Sequence, residues 1–403
     1  MIHSTPLLTM IVFGFGMAFI LGMIANRLHL SPIAGYLLAG VLMGPATPGY
    51  IGDPKMAHEL AEIGVILLMF GVGLEFSWKE LLRVRKIAVP GAIAQIVIAT
   101  LMGWVLSLFM GLKLEEGLLF GIALSVASTV VLIRALGERK LLSTNRGQIA
   151  VGWLIVEDLA VVVILVILPA IANILHPNVT DPSQTIIKGH IFLTLLITIL
   201  KVSAFIILML VVGKRVIPWI LRITEKQKSA ELFRLAILAI ALGVAYGSAK
   251  LFGVSFALGA FFAGMILNES EHNHRAVKET IPLRDAFAVL FFVGMGMLLN
   301  PFILVESPWI ILAVVMIIIL GKSIVAYIIM KAFKHSSYTA FTIAISLAQI
   351  GEFSFILAEL GVKLNMLTPE AQDIILASAL ISILLNPILF NLLDRFKPEK
   401  ELE

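Results

Sequence analysis

Two adjacent carboxylates, Glu157 and Asp158, lie inside the apolar run Gly152-Trp-Leu-Ile-Val-Glu-Asp-Leu-Ala-Val-Val-Val. Nothing structural in such a run requires two acids. A central Asp in a membrane helix costs about 2.5–3.5 kcal/mol on insertion scales, so the plain alternative is a salt bridge that only packs helices. Neighbours on a helix point about 100° apart, so the two acids need not share one environment. About 4 kcal/mol of destabilised charge separates an ordinary aspartate from one that exchanges a proton near neutral pH, and a half-buried site supplies that. A carboxylate so poised accepts either a proton or a small cation. Lys322, in Ile-Ile-Ile-Leu-Gly-Lys-Ser-Ile-Val, is too deep to snorkel. Glu157 or Asp158 is its expected partner. Such a lysine is either a fixed ion pair or a proton carrier released by an arriving cation. Gly321-Lys322-Ser323 is no phosphate loop, because Met316 stands where that motif needs glycine.

Uncharged polar residues recur at mid-span in two other places, Ser125-Val-Ala-Ser128-Thr129 and Ser346-Leu-Ala-Gln349-Ile-Gly351-Glu352. Hydroxyl and amide side chains can satisfy backbone groups freed where a membrane helix is interrupted. They can also bond back to their own helix without any interruption. Glu352 is expected to offset the positive N-terminal ends of broken half-helices, with ion ligation as the alternative. Arg134 and Glu138, one turn apart, are expected to pair locally. Glu59, Glu62 and Glu75 read as a wet or interfacial face. His3, His29, His58 and His176 are scattered, and His272 and His274 lack ligand spacing, so no metal site is expected beyond an ion held at these carboxylates. Asn178-Val-Thr180 fits a glycosylation sequon, which would carry no meaning if the chain is bacterial.

The elements that must hold these residues are membrane helices. Of 403 residues, 60% are hydrophobic and 14% charged, against about 25% charged in soluble proteins. Mean hydropathy is +1.03. The composition excludes a soluble enzyme, a disordered tail and a nucleic-acid binder. The absence of cysteine excludes disulfides and thiolate chemistry. Thirteen spans of suitable length are expected at 6–26, 31–46, 57–76, 87–111, 115–138, 147–172, 190–213, 231–250, 253–268, 284–302, 308–333, 338–361 and 370–393. The first is not a signal peptide, since nothing basic precedes it and no small-residue cleavage site follows. Lys and Arg crowd into alternate loops, and the other loops hold only Lys55, Lys113, Lys188, Lys250 and Lys363. That asymmetry predicts an N terminus outside and a C terminus in the cytoplasm, and it accounts for the net charge of +4.

The chain also repeats itself. Ser31-Pro-Ile-Ala-Gly35-Tyr-Leu-Leu-Ala39-Gly40 resembles Ser255-Phe-Ala-Leu-Gly259-Ala-Phe-Phe-Ala263-Gly264. Gly71-Val-Gly73 resembles Gly294-Met-Gly296, and Ile122 to Ala127 resembles Ile343 to Ala348. The offsets, 224, 223 and 221 residues, are nearly constant. The reading is one transmembrane transport domain over 1–403: repeat one about 6–172, a linking helix about 190–213, and repeat two about 231–393. An odd span between the repeats inverts their orientation, which is a mark of secondary transporters with a midplane site.

These motifs resemble the monovalent cation:proton antiporter-2 family, and within it the Kef-type potassium efflux antiporters. The resemblance runs over nearly the whole chain. It includes Gly35 to Gly40, Gly44-Pro45, Glu62 to Val65, Gly73-Leu74-Glu75, Ser128-Thr129, Glu157-Asp158, Leu258 to Gly264, Phe291 to Met297, and Gln349 to Phe353. It implies an all-α polytopic fold of thirteen helices, two inverted six-helix repeats, crossed discontinuous helices, and a homodimer whose six-helix core moves as an elevator. It implies that the family's ion-binding aspartate falls on Asp158, its core lysine on Lys322, and its crossover polar residues on Ser128, Thr129 and Gln349. The residue before that aspartate varies among relatives, and here it is Glu157. Many relatives carry a cytosolic nucleotide-binding regulatory domain after the last helix. This chain ends at Lys400-Glu-Leu-Glu403, so no such domain is expected within it, and a longer natural chain could carry one.

The expected function is therefore exchange of a monovalent cation, K⁺ ahead of Na⁺, for protons across a bacterial inner membrane. Asp158 would bind cation and proton in turn, helped by Thr129, Ser128 and Glu157. Lys322, Glu352 and Gln349 would supply the core charge and the helix crossover. No cofactor, nucleic-acid partner or catalytic chemistry is expected. The alternatives are a gated K⁺ efflux pathway of channel type, against which the lack of a selectivity-filter motif counts, and a Na⁺-coupled symporter on a related fold.

Overall fold

A computed structural model describes residues 6–28, 30–47, 53–75, 78–142, 144–175, 191–270 and 273–395. His3, His29, His176, His272, the Asn178 sequon, Lys188 and Lys400 to Glu403 lie outside the described residues, as do the side chains of Glu75 and His274.

All regular structure among the described residues is helical. The order begins α1 (Pro6–Arg27), α2 (Pro32–Met43), α3 (Pro54–Glu75), α4 (Trp78–Phe109), α5 (Leu114–Ser125), α6 (Thr129–Glu138) and α7 (Asn145–Leu175). It continues α8 (Ile191–Leu208), α9 (Lys214–Lys226), α10 (Ala230–Phe252), α11 (Phe256–Asn268) and α12 (Asn273–Leu298). The last elements are α13 (Ile303–Glu306), α14 (Pro308–Met316), α15 (Lys322–Ala332), α16 (Ser337–Ser346), α17 (Glu352–Lys363) and α18 (Pro369–Asp394). Wide π-helical turns, Met209–Gly213 and Ile317–Gly321, join α8 to α9 and α14 to α15.

Each of the thirteen expected spans falls on helix. Among the described residues, ten stretches are long and apolar enough to cross a membrane, and α2 and α11 are shorter apolar helices. The span expected at 338–361 is two helices, neither long enough alone. Large apolar side chains stay exposed along the outer faces, Phe19 and Leu101 among them. That is the pattern of a surface whose solvent is lipid.

The chain forms two compact units. One comprises residues 1–15, 52–77 and 162–294, the other 16–51, 78–161 and 295–403. In the first, α3 and α11 approach almost backbone to backbone. A Cβ on Gly73 would lie 2.2 Å from the Phe261 carbonyl oxygen, and one on Gly264 would lie 2.1 Å from that of Phe70. Small residues permit such contact, which drives helix association where lipid removes the hydrophobic incentive. Asn268 Nδ2 seals the same seam by donating to the Leu74 carbonyl.

The second unit holds the equivalent contact. Gly296, the repeat partner of Gly73, lies against α2, where an added Cβ would sit 2.1 Å from the Leu37 carbonyl oxygen and 3.0 Å from Gly40 Cα. Gly40 is the repeat partner of Gly264. In each contact a glycine-rich helix of one repeat meets a helix of the other. In this unit α4 also packs on α5, α5 on α17, and α6 on α16 and α18. These helices surround the buried charges.

Candidate functional site

Two helices of the second unit are interrupted at equivalent places. Between α5 and α6 the chain runs extended through Val126 to Ser128, and between α16 and α17 it passes through Leu347 to Gly351. Before each break a serine turns back on its own helix. Ser125 Oγ donates to the Ile122 carbonyl and Ser346 Oγ to that of Thr342, both at 2.7 Å. After the first break Ser128 caps α6, its Oγ accepting from Val131 N at 3.3 Å. Back-bonding and interruption therefore coexist, on different serines.

The two breaks meet. Ser128 N donates to Gln349 Oε1 at 2.8 Å, and Gln349 Nε2 donates to the Ser128 carbonyl at 3.1 Å. Ser128 Oγ donates to Glu352 Oε2 at 2.8 Å. Only glycine fits at 351, since a Cβ there would lie 2.2 Å from Ser128 Cβ. Glu352 stands in the first turn of α17 and touches the cap of α6, so one carboxylate faces two helix N-termini.

A broken helix also leaves orphan carbonyls at its C-terminal end. Here side chains from α15, from α18 and from the break itself cover them. Ser323 Oγ donates to Ala344 O at 3.2 Å, Asn386 Nδ2 to Ile345 O at 2.8 Å, and Gln349 Nε2 to Ser346 O at 3.3 Å. Lys322 Nζ donates to the Gln349 carbonyl at 3.1 Å. Lys322 is wholly buried, directly after the π-helical turn. No carboxylate among the described residues makes a direct ion pair with it, contrary to the expected contact with Glu157 or Asp158. Glu157 supplies the opposite charge that acts on it through space. The backbone offered by the broken helix takes the place of the direct partner.

Glu157 and Asp158 enter different surroundings, as the 100° between neighbours allows. Both Glu157 oxygens are occupied, Oε1 by Gln95 Nε2 and Oε2 by Ala127 N, each at 2.9 Å. Ala127 lies within the first break, so its free N–H is satisfied by that carboxylate. Asp158 Oδ2 accepts from Thr129 Oγ1 at 3.0 Å, while Oδ1 is buried with no protein partner. Glu352 Oε1 is likewise buried and unpartnered. Thr129 is half-buried, which leaves Asp158 at the edge of the packed core.

The residues named from sequence, Ser128, Thr129, Glu157, Asp158, Lys322, Gln349 and Glu352, all gather in this one unit. Sequence reasoning passed over Gln95, Ser323 and Asn386. Gln95 is wholly buried mid-way along apolar α4, and Asn386 directly precedes Pro387. A polar side chain in an otherwise apolar span was the available signal for both. Arg134 Nε pairs with Glu138 at 2.9 Å as expected, and Arg134 Nη2 also donates to Asn26 Oδ1 at 2.8 Å. Glu59 is exposed, and Glu62 meets His58 at 3.5 Å.

Chemically, two carboxylate oxygens, Asp158 Oδ1 and Glu352 Oε1, lack a protein partner at the crossover, and a hydroxyl donates to the other oxygen of each. Such an arrangement can take up a proton or a small cation, and it contains no nucleophile with its base. No cluster of three or more His, Asp or Glu suited to a resident metal occurs among the described residues.

A family model described as sodium/hydrogen exchanger, transmembrane, matches residues 15–393. A protein of Escherichia coli strain K12, provisionally named cation/proton antiporter YbaL, is 57% identical over 99% of this chain, which covers 70% of that protein. K(+) efflux antiporter 4 of Arabidopsis thaliana is 34% identical over 90% of this chain, which covers 59% of its length. The solved structure of the sodium proton antiporter MjNhaP1 from Methanocaldococcus jannaschii at pH 8 superposes with a TM-score of 0.69 at 19% identity, covering 96% of this chain and 97% of that one. That likeness establishes the fold.

Proposed function

Since this chain belongs to the sodium/hydrogen exchanger transmembrane family, we propose that it exchanges a monovalent cation for protons, with Asp158 as the single group that carries each in turn. It is a membrane transporter and not an enzyme. The observation that carries the reading is the contrast between the two neighbouring acids. Both Glu157 oxygens already accept hydrogen bonds, whereas Asp158 Oδ1 is buried and unpartnered. A proton or cation on Glu157 would share an oxygen that already accepts a hydrogen bond; on Asp158 Oδ1 it meets no competing donor. Because one oxygen cannot hold both, binding of either excludes the other, and that exclusion is the coupling.

Thr129 and Ser128 replace part of the ion's water shell. With Asp158 alone cycling, one cation moves for one proton and the exchange is electroneutral. K⁺ is the cation favoured, in keeping with the name of the Arabidopsis relative, with Na⁺ the competitor. Thirteen crossings put the N terminus outside a bacterial inner membrane and the C terminus in the cytoplasm. Movement of the crossover core, within a homodimer, carries the ion across. In a longer natural chain a cytosolic nucleotide-binding domain would regulate it.

The test is reconstitution in liposomes with a trapped pH dye, with K⁺ or Na⁺ added outside, for wild type and Asp158→Asn. Cation-driven proton efflux that is lost in the variant is the expected result. Cation flux without proton movement, or an unimpaired variant, would overturn the exchange reading.

A further inference from the structure

A groove of about 380 Å³ opens on the first unit, between the line of α8 and α9 and the facing side of α10. Its walls include Leu208, Val212, Val216, Ile220, Ala239 and Gly243, and the wall residues are all apolar. Leu208, Val212 and Val216 are 41%, 44% and 40% exposed, so the groove faces outward. A Cβ on Gly243 would meet nothing within 4 Å. Water finds no partner in such a groove, whereas hydrocarbon fills it with dispersion contacts.

A basic stripe borders the groove. Arg215, Trp219, Arg222 and Lys226 recur at i, i+4, i+7 and i+11 on α9, so they share one face. All four are exposed, Trp219 by 59%. Val216 in the groove wall is three residues before Trp219, which makes the two neighbours on the helix surface. Three acids of this unit pair with other cations: Glu269 with Lys214 at 2.7 Å, Glu225 with Arg275 at 3.1 Å, and Glu279 with Arg234. Arg215, Arg222 and Lys226 have no ion pair among the described residues.

This chemistry selects the occupant. Three uncompensated cations beside an exposed indole suit an anionic headgroup at a membrane interface. A second copy of the chain is the other way to cover an apolar groove. A two-fold contact there would turn the basic stripe toward its own copy, with no acid among its four residues to offset the repulsion.

We propose that this groove binds an anionic phospholipid, with one acyl tail along the apolar walls and the negative headgroup held by the stripe of Arg215, Arg222 and Lys226. The indole of Trp219 sits where tail meets headgroup. In the proposed orientation this is the cytoplasmic leaflet, where anionic lipids concentrate. The binding does not rest on the exchange reading.

Native mass spectrometry of the intact chain, with phosphatidylglycerol or phosphatidylcholine added to detergent micelles, tests this. Phosphatidylglycerol adducts are expected at lower lipid concentration than phosphatidylcholine adducts. Arg222→Gln should weaken phosphatidylglycerol binding about fivefold and leave phosphatidylcholine unchanged. Gly243→Phe, which fills the groove, should weaken the binding of both lipids. Equal binding of the two lipids by wild type, unchanged binding by Arg222→Gln, or full binding by Gly243→Phe overturns the proposal. Displacement of the lipid by inorganic phosphate at constant ionic strength would make the stripe a free-phosphate site and overturn it too. If Gly243→Phe turns a dimer into a monomer with lipid binding intact, the groove belongs to a second copy and the lipid reading fails.

Discussion

Gln349 and Ser128 hydrogen-bond to each other in both directions, amide to backbone, across 221 residues of sequence. That separation is the offset of the third repeat block, so the two residues are repeat equivalents meeting at the crossover. The contact satisfies Ser128 N–H at a point where both helices are broken, and it shares the Ser128 carbonyl with Leu132 N, which donates to it at 3.2 Å. Gln349→Leu would orphan the N–H and leave the carbonyl its helical partner. With about 1–3 kcal/mol for each buried group left unpaired, thermal unfolding in detergent should fall by several degrees, and transport with it. Gln349→Glu keeps the acceptor but sets a buried carboxylate oxygen against the Ser128 and Ser346 carbonyls, and should lose at least as much. Equal stability of wild type and Gln349→Leu would show that the reciprocal pair does not hold the crossover.

Thr129 donates to Asp158 Oδ2. Removing that hydroxyl while keeping the shape, Thr129→Val, should weaken cation affinity by about 1–2 kcal/mol, roughly five- to thirtyfold in KM. Thr129→Ser should stay near wild type. Initial-rate transport over a cation series tests this. A fall in kcat at unchanged KM would assign Thr129 to the moving step instead of to binding.

Lys322 and Glu157 are opposite charges in a dry core with no direct ion pair between them. Lys322→Met removes the charge that acts on Glu157 and leaves the Gln349 carbonyl without that donor, and should lower thermal stability. Adding Glu157→Gln should recover most of that stability. A double-mutant cycle on thermal unfolding measures the coupling. If the double variant is no more stable than Lys322→Met, the charges act independently.

In the proposed exchange, proton and cation compete for one oxygen of Asp158. Where the proton holds the site most of the time, each unit drop in pH raises the apparent KM for cation about tenfold at constant kcat, by linkage. Toward alkaline pH the KM falls and then levels. Transport measured at several pH values and saturating cation separates this from a pH effect on kcat, which competition does not predict.

Gly73 and Gly264 permit backbone contact between α3 and α11, whereas Gly243 in α10 faces open space. Gly73→Ala should cost about 1–3 kcal/mol by overpacking, and Gly243→Ala should stay within about 0.5 kcal/mol of wild type. Thermal stability of the two variants side by side distinguishes a packing glycine from an incidental one.

The amino-acid sequence by itself determined what the bilayer demands. Apolar runs of membrane length are linear quantities, so the helical membrane class was legible without coordinates. So was the cost of Glu157, Asp158 and Lys322 in an apolar setting, because transfer energy depends on residue type and on depth along a span. What touches what was not legible. Whether Glu157 or Asp158 keeps a free oxygen depends on the direction each side chain takes, and on Gln95 and Ala127 arriving from other helices. Lys322 was expected to seek a carboxylate, yet the broken helix offered it the Gln349 carbonyl first. An interruption exposes backbone groups that no residue type announces, and only the tertiary structure decides which side chains reach them.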